Sequence, residues 1–224
     1  MNDVNIQNIV RELVNQSTVD SLEEAEKLMI EYLDKYPQDV DAWARIVILQ
    51  TLPPFGDYQR AVSLLETAIE YHGNIASFKI LLSFFREFFL GGMDECQIEN
   101  LMHTKKKSND IQLKAIILYL MAWHYESTDK NKFVNILEES IYTCNQLVTN
   151  LVDLGTHFLR YGEVDKGKQL IQNGLANVKL IYKEDECYKD YDALDVIRFI
   201  NERITGVFMT EGRHSSIVDL LKRN

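Results

Sequence analysis

His124 and Glu126 stand at H-x-E spacing within Trp123-His124-Tyr125-Glu126. Zinc deaminases use that pattern, with the histidine on the metal and the glutamate moving a proton to or from the attacking water. The same chemistry needs P-C-x-x-C to complete the metal site, and this chain has no such pair. Two positions along a helix also point to different faces, so this H-x-E does not assemble a centre. His124 and His157 lie 33 residues apart and fall at equivalent places in neighbouring helical units. A lone histidine pair without a third ligand is a weak zinc site, so both are read as helix-packing or partly exposed side chains. Glu184-Asp185-Glu186-Cys187-Tyr188-Lys189-Asp190-Tyr191-Asp192, extended by Asp195, gathers carboxylates but lacks the glycine and closing glutamate of an EF-hand loop. It reads as a solvated loop and helix start, where acids suit the positive end of the helix dipole. An acidic patch for a basic partner is its functional alternative.

Other chemistries lack their residues. Lys107-Ser108 has no preceding glycines to cradle phosphates, and no G-x-G-x-x-G, H-E-x-x-H or G-x-S-x-G occurs. No catalytic, cofactor-binding or metal-ligating residue is expected, and the chain is not read as an enzyme. The net charge is −10 and the pI about 5.0. Nucleic-acid binding needs cationic charge against phosphates, and the only basic run is Lys105-Lys106-Lys107, read as a solvated helix end. The acidity favours a neutral or basic protein partner. The longest apolar run, Ala115 to Trp123, is too short to span a bilayer, so no membrane role is expected. Cys96, Cys144 and Cys187 form an odd, widely spaced set without C-x-x-C, which fits a reducing compartment. Residues 1–16 carry Asp3, Arg11 and Glu12 and no apolar core of a signal peptide. The expected location is the cytoplasm.

The elements that must position any site are helices. Nearly every segment repeats its apolar residues with a period near 3.6, and alternating strand patterns are missing. About twelve helices can be marked, in pairs near 3–16 and 20–35, 39–52 and 57–72, 74–90 and 94–105, 110–127 and 130–146, 148–161 and 163–182, and 188–209 and 213–223. Asp20 or Ser21 is placed to cap the second helix, and Gly91-Gly92 to end the fifth. With only 3 prolines and 10 glycines and no linker-like run, residues 1–224 read as a single helical-repeat domain of about six pairs.

Leu151-Val152-Asp153-Leu154-Gly155-Thr156-His157-Phe158, followed by Gly162 and Gly167-Lys168-Gln169-Leu170-Ile171, resembles the tetratricopeptide repeat, whose signature is W-x2-L-G-x2-Y, then A-x3-F, then P. Trp43 and Ile46 stand at W-x2-L spacing just after Pro37, with Val47 in place of the glycine. Ala25, Met29 and Tyr32 precede Pro37 at repeat spacing; Ala61, Leu65 and Ala68 repeat the small–large–small ridge; and Ala122 and Gly155 are 33 residues apart. The resemblance is to a divergent array covering most of the chain as a pattern. It implies an all-α fold of antiparallel helix pairs stacked into an α-solenoid, a right-handed superhelix. Gly155 is then expected at a close helix–helix approach, where leucine overpacks and alanine is mild.

The resemblance also implies that first helices line a concave groove. That points Lys79 and Ser83, Tyr119 and Trp123, and Val152 and Thr156 into it, with Arg86, Glu126 and Arg160 a turn further on. Tyr, Trp and Arg are the side chains most often found as interface hot spots, so Lys79, Arg86, Tyr119, Trp123, Glu126, Thr156 and Arg160 form the candidate partner-binding set. The functional expectation is a non-catalytic scaffold that binds a protein or peptide in that groove, and in its sharpest form a bacterial immunity protein neutralising a basic toxin. The alternatives are a regulatory or auxiliary helical subunit of a larger enzyme complex and an enzyme with a site not visible in the motifs.

Overall fold

A computed structural model describes residues 3–73 and 75–181. The expected sixth pair, the acidic stretch from Glu184 to Asp195, and Cys187 lie outside the described residues. Within them the chain forms ten α-helices and no strand: α1 (Asp3–Gln16), α2 (Val19–Lys35), α3 (Val40–Thr51), α4 (Tyr58–His72), α5 (Ala76–Phe89), α6 (Glu95–Lys107), α7 (Ile111–Tyr125), α8 (Lys130–Thr143), α9 (Val148–Arg160) and α10 (Val164–Ile181). They fall into two compact units that meet in sequence at Gly92 and Met93, so α1–α5 belong to one and α6–α10 to the other.

Helix starts follow from short polar side chains that bond the otherwise unpaired first N–H groups. Asp39 accepts from Ala42 N, Asp57 from Arg60 N, Asp110 from Gln112 N and Leu113 N, and Asp129 from Lys132 N. Asp94 and Gln97 close a reciprocal capping box. α2 departs from expectation. Its cap is Thr18, which forms a box with Ser21. The extended backbone of Thr18 lets its hydroxyl reach Ser21 N, whereas Asp20 and Ser21 are already inside the helix.

In the first unit the second helix of one pair meets that of the next through Glu26, which accepts from Arg60 at 2.9 Å. Leu22, Ala25 and Met29 of α2, Trp43, Ile46 and Val47 of α3, Ala61, Leu65 and Ala68 of α4, and Phe78, Leu81 and Phe85 of α5 are buried. Tyr58 stacks on Phe89 with ring centroids 3.8 Å apart. In the second unit, Lys105 of α6 donates to Glu139 of α8 at 2.7 Å, and Tyr119 of α7 to Asp153 of α9 at 3.0 Å. All three of these contacts join residues 34 apart, the length of one tetratricopeptide unit. The repeat period is therefore visible as physical bonds between equivalent positions.

α7 is covered on every side. All eight residues from Ala115 to Ala122 are buried, as suits a helix apolar around its whole circumference. Its polar backbone and its neighbours are tied by a buried network: Ser140 Oγ donates to Ala115 O at 2.7 Å and accepts from Asn150 Nδ2, while Thr149 donates to Asn150 Oδ1.

The α9–α10 pair is the tightest seam. A Cβ on Gly155 would fall 2.8 Å from Gly167 O and 2.7 Å from Ile171 Cγ1; one on Gly167 would fall 2.8 Å from Gly155 O; one on Gly174 would meet Val152 Cγ2 at 2.9 Å. The close approach expected at Gly155 is present. The tolerance of alanine there is not, because the obstructing atom is a backbone carbonyl that no rotamer change can move.

Candidate functional site

α7 and α9 of the second unit carry five of the seven expected contact residues. Four reach the surface. Trp123 is half-buried near the end of α7, edge-on to Tyr119 at 6.4 Å and to Phe133 at 5.9 Å. Glu126 caps α7 and is partly exposed. Thr156 is partly exposed but turns its hydroxyl back to Val152 O at 2.8 Å. Arg160, in the last turn of α9, is exposed.

Tyr119 does not reach the surface as expected. It is 3% exposed, and its hydroxyl donates to the carboxylate of Asp153, itself 7% exposed. This pair braces α7 against α9 and so positions Trp123 one turn on. Ser83 and Val152, expected to face the groove beside the set, are buried as well. The geometric reason is the same in each case: these first helices are covered on more than the one face that periodicity marks. In the first unit, Lys79 and Arg86 sit on α5 and are partly exposed. Arg86 ion-pairs with Glu66 of α4, so it links the second helix of one pair to the first of the next.

Residues outside the expected set gather around the ends of α7 and α9. Lys132 Nζ lies 3.5 Å from the centre of the Tyr125 ring, and Lys166 Nζ 3.7 Å from that of Phe158. Lys130 Nζ donates to Tyr161 OH at 2.6 Å. That bond holds the Lys130 ammonium above its ordinary pKa. His157 packs against Phe133, Phe158 and Tyr161. Burial pushes its imidazole below the ordinary value, and the nearby charges of Lys130 and Arg160 push the same way. This histidine is a packing residue in an aromatic cluster, next to cations. Among the described residues no group of three or more His, Cys, Asp or Glu could hold a metal ion. No described helix is long and apolar enough to cross a membrane. The only sequence signal for the lysine–aromatic contacts was the near-repeat separation of Lys130 and Tyr161, 31 residues, too loose to single out beforehand.

The surface is thus one aromatic edge flanked by an arginine, a carboxylate and lysines held on rings. It offers shape and charge for a protein contact.

The helical fold has counterparts among solved structures. One, described as MamA RS-1 ArsTM double mutant, matches with a TM-score of 0.57 at 15% identity, covering 80% of this chain and 97% of that one. Another, MamA 41-end from Desulfovibrio magneticus RS-1, matches with 0.54 at 17% identity, covering 80% and 96%. Likeness at such identities establishes the fold: all-α, built from helix pairs of the tetratricopeptide-like kind. No protein-family model matches the chain, and no curated protein does.

Proposed function

We propose that this protein is a non-catalytic scaffold that holds a protein or peptide partner against the first-helix side of its repeats. The carrying observation is Trp123, left half-buried at the end of α7 by a braced pair beneath it, with Arg160 exposed on the neighbouring first helix. Half-buried aromatic side chains pre-ordered by their neighbours lose little freedom on binding, and Trp and Arg are the commonest interface hot spots. The helix-pair fold supports the reading, since stacked repeats present extended surfaces used for binding. Glu126 and Thr156 complete the contact set in this unit; Lys79 and Arg86 are the corresponding contacts of the other. Neutralising a basic toxin is the narrower form of this function, supported by the net charge of −10, which draws cationic partners over long range.

The test is affinity capture with the full chain, followed by binding measurements on the captured protein. Trp123→Ala and Arg160→Ala should each weaken it, with a true hot spot losing at least about 2 kcal/mol. Lys107→Ala, on α6, serves as the control. If both variants stay folded and bind like the parent, the first-helix surface is not the site.

A further inference from the structure

The first unit contains a cleft of about 280 Å³ on its second-helix side. α2 and α4 form its walls, and Trp43 and Ile46 of α3 form its floor. The Glu26–Arg60 bond ties the two walls together, and Asp34 of α2 lines the cleft together with Thr67 and Tyr71 of α4. From that bond Asp34 lies eight residues on along α2 and Tyr71 eleven residues on along α4, roughly 12 Å and 16 Å at 1.5 Å per residue. The two ends of the cleft therefore differ in charge. At one end the guanidinium of Arg60 is answered by Glu26 at 2.9 Å. At the other, Asp34 is exposed and has no ion pair or hydrogen bond among the described residues.

The same end is aromatic. Trp43 is 7% exposed, and its indole N–H donates to Pro37 O at 2.9 Å, which fixes the ring. Tyr71, 55% exposed, stacks on it at 5.8 Å with planes 28° apart. A rigid aromatic face beside an unanswered carboxylate suits a cation with a flat or apolar body. The walls around it carry eight carboxylates against three lysines and arginines, so the local field has the same sign.

We propose that this cleft is a second binding site, which takes an arginine side chain of a basic segment in a partner protein. The guanidinium lies against the exposed ring of Tyr71, which Trp43 backs, where cation–π attraction and planar stacking act together. Its charge meets Asp34, and its methylene stem runs along Ile30 and Leu64. This site goes beyond the first-helix surface, uses none of its residues, and binds by a different chemistry.

The probe is a capped Ala-Arg-Ala peptide titrated into the full chain, read by tryptophan fluorescence. The comparison peptide carries citrulline, which keeps the shape and loses the charge. Saturable binding of the arginine peptide is expected, with the citrulline peptide weaker by about tenfold or more, the equivalent of one ion pair plus one cation–π contact. Asp34→Asn and Tyr71→Ala should each weaken the arginine peptide about three- to tenfold on the same scale. Both residues are exposed, so their variants should keep the parental melting temperature. Glu138→Gln removes a carboxylate of the second unit and should leave the titration unchanged, as should Trp123→Ala. Equal binding of the two peptides, parental affinity in Asp34→Asn, or no saturation by about 10 mM peptide overturns the proposal. Loss of partner capture in Trp123→Ala with the peptide titration intact keeps the two sites distinct.

Discussion

The α3–α4 and α9–α10 pairs solve the same packing problem in opposite ways. In α3–α4 the ridge positions are Val47, Ala61 and Ala68, all fully buried, and Trp43, Ile46 and Leu65 of the same pair are buried with them. In α9–α10 the corresponding places are Gly155, Gly167 and Gly174, and the seam closes until the backbone of one helix lies where the other's Cβ would be. One seam gains its stability from buried side-chain volume, the other from removing that volume and bringing main chains together. Equal-looking helix pairs are therefore damaged by opposite changes in volume, one by added atoms and the other by removed ones.

The strongest test of this contrast is Gly155. Gly155→Leu should lose about 3 kcal/mol or more, the upper range for forced overpacking. Gly155→Ala should still lose stability, about 1–3 kcal/mol, because the clash with a carbonyl outweighs the roughly 1 kcal/mol that alanine gains over glycine in a helix. Urea midpoints measure both. An alanine variant as stable as the parent would show that the seam can open at no cost.

At the other seam it is the removal of volume that does the damage. Val47→Ala removes two buried methyl groups and should cost about 1.5–2 kcal/mol by lost burial. Val47→Ala as damaging as Gly155→Leu, or as harmless as a surface change, would erase the distinction between the seams.

The smallest effect concerns pH. His157 packs on the α9 end of the second unit, while the Trp43–Tyr71 stack of the first has no group that titrates near neutrality. Because the folded-state pKa of His157 lies below its ordinary value of about 6.5, the unfolded chain takes up the proton first. The contribution of His157 is thus full above about pH 6.5 and declines as the pH falls from there toward the lowered folded pKa. Parent and His157→Gln should differ in the slope of melting temperature against pH in that window, the parent falling more steeply on acidification. Parallel slopes would mean that the ring is not held neutral by its neighbours.

Legibility varied with the range of the interaction. Helix starts are local, yet the one N-cap expected from sequence, Asp20 or Ser21, is displaced by Thr18, because these residues offer equally good caps two and three residues on. The tight seam was readable because glycine inside an apolar helical pattern has few other uses. Tyr119 was misplaced. Its helix has no charged residue between Lys114 and His124, a run that signals a helix covered all round, and a groove-facing position was assigned there from repeat phase instead. The arginine cleft had no sequence signature, because Asp34, Trp43 and Tyr71 come from three helices and meet only in one register.

Among the described residues, the chain by itself determined the helices, their pairing and the glycine seam, since each depends on periodicity and contacts within one repeat. Tertiary structure decided which side chains of the first helices stay outside. It did so through neighbours 34 residues away, as in the bond from Tyr119 to Asp153 that ties α7 to α9. A 3.6-residue period marks one buried face of a helix; whether a second face is buried depends on what the next repeat lays over it.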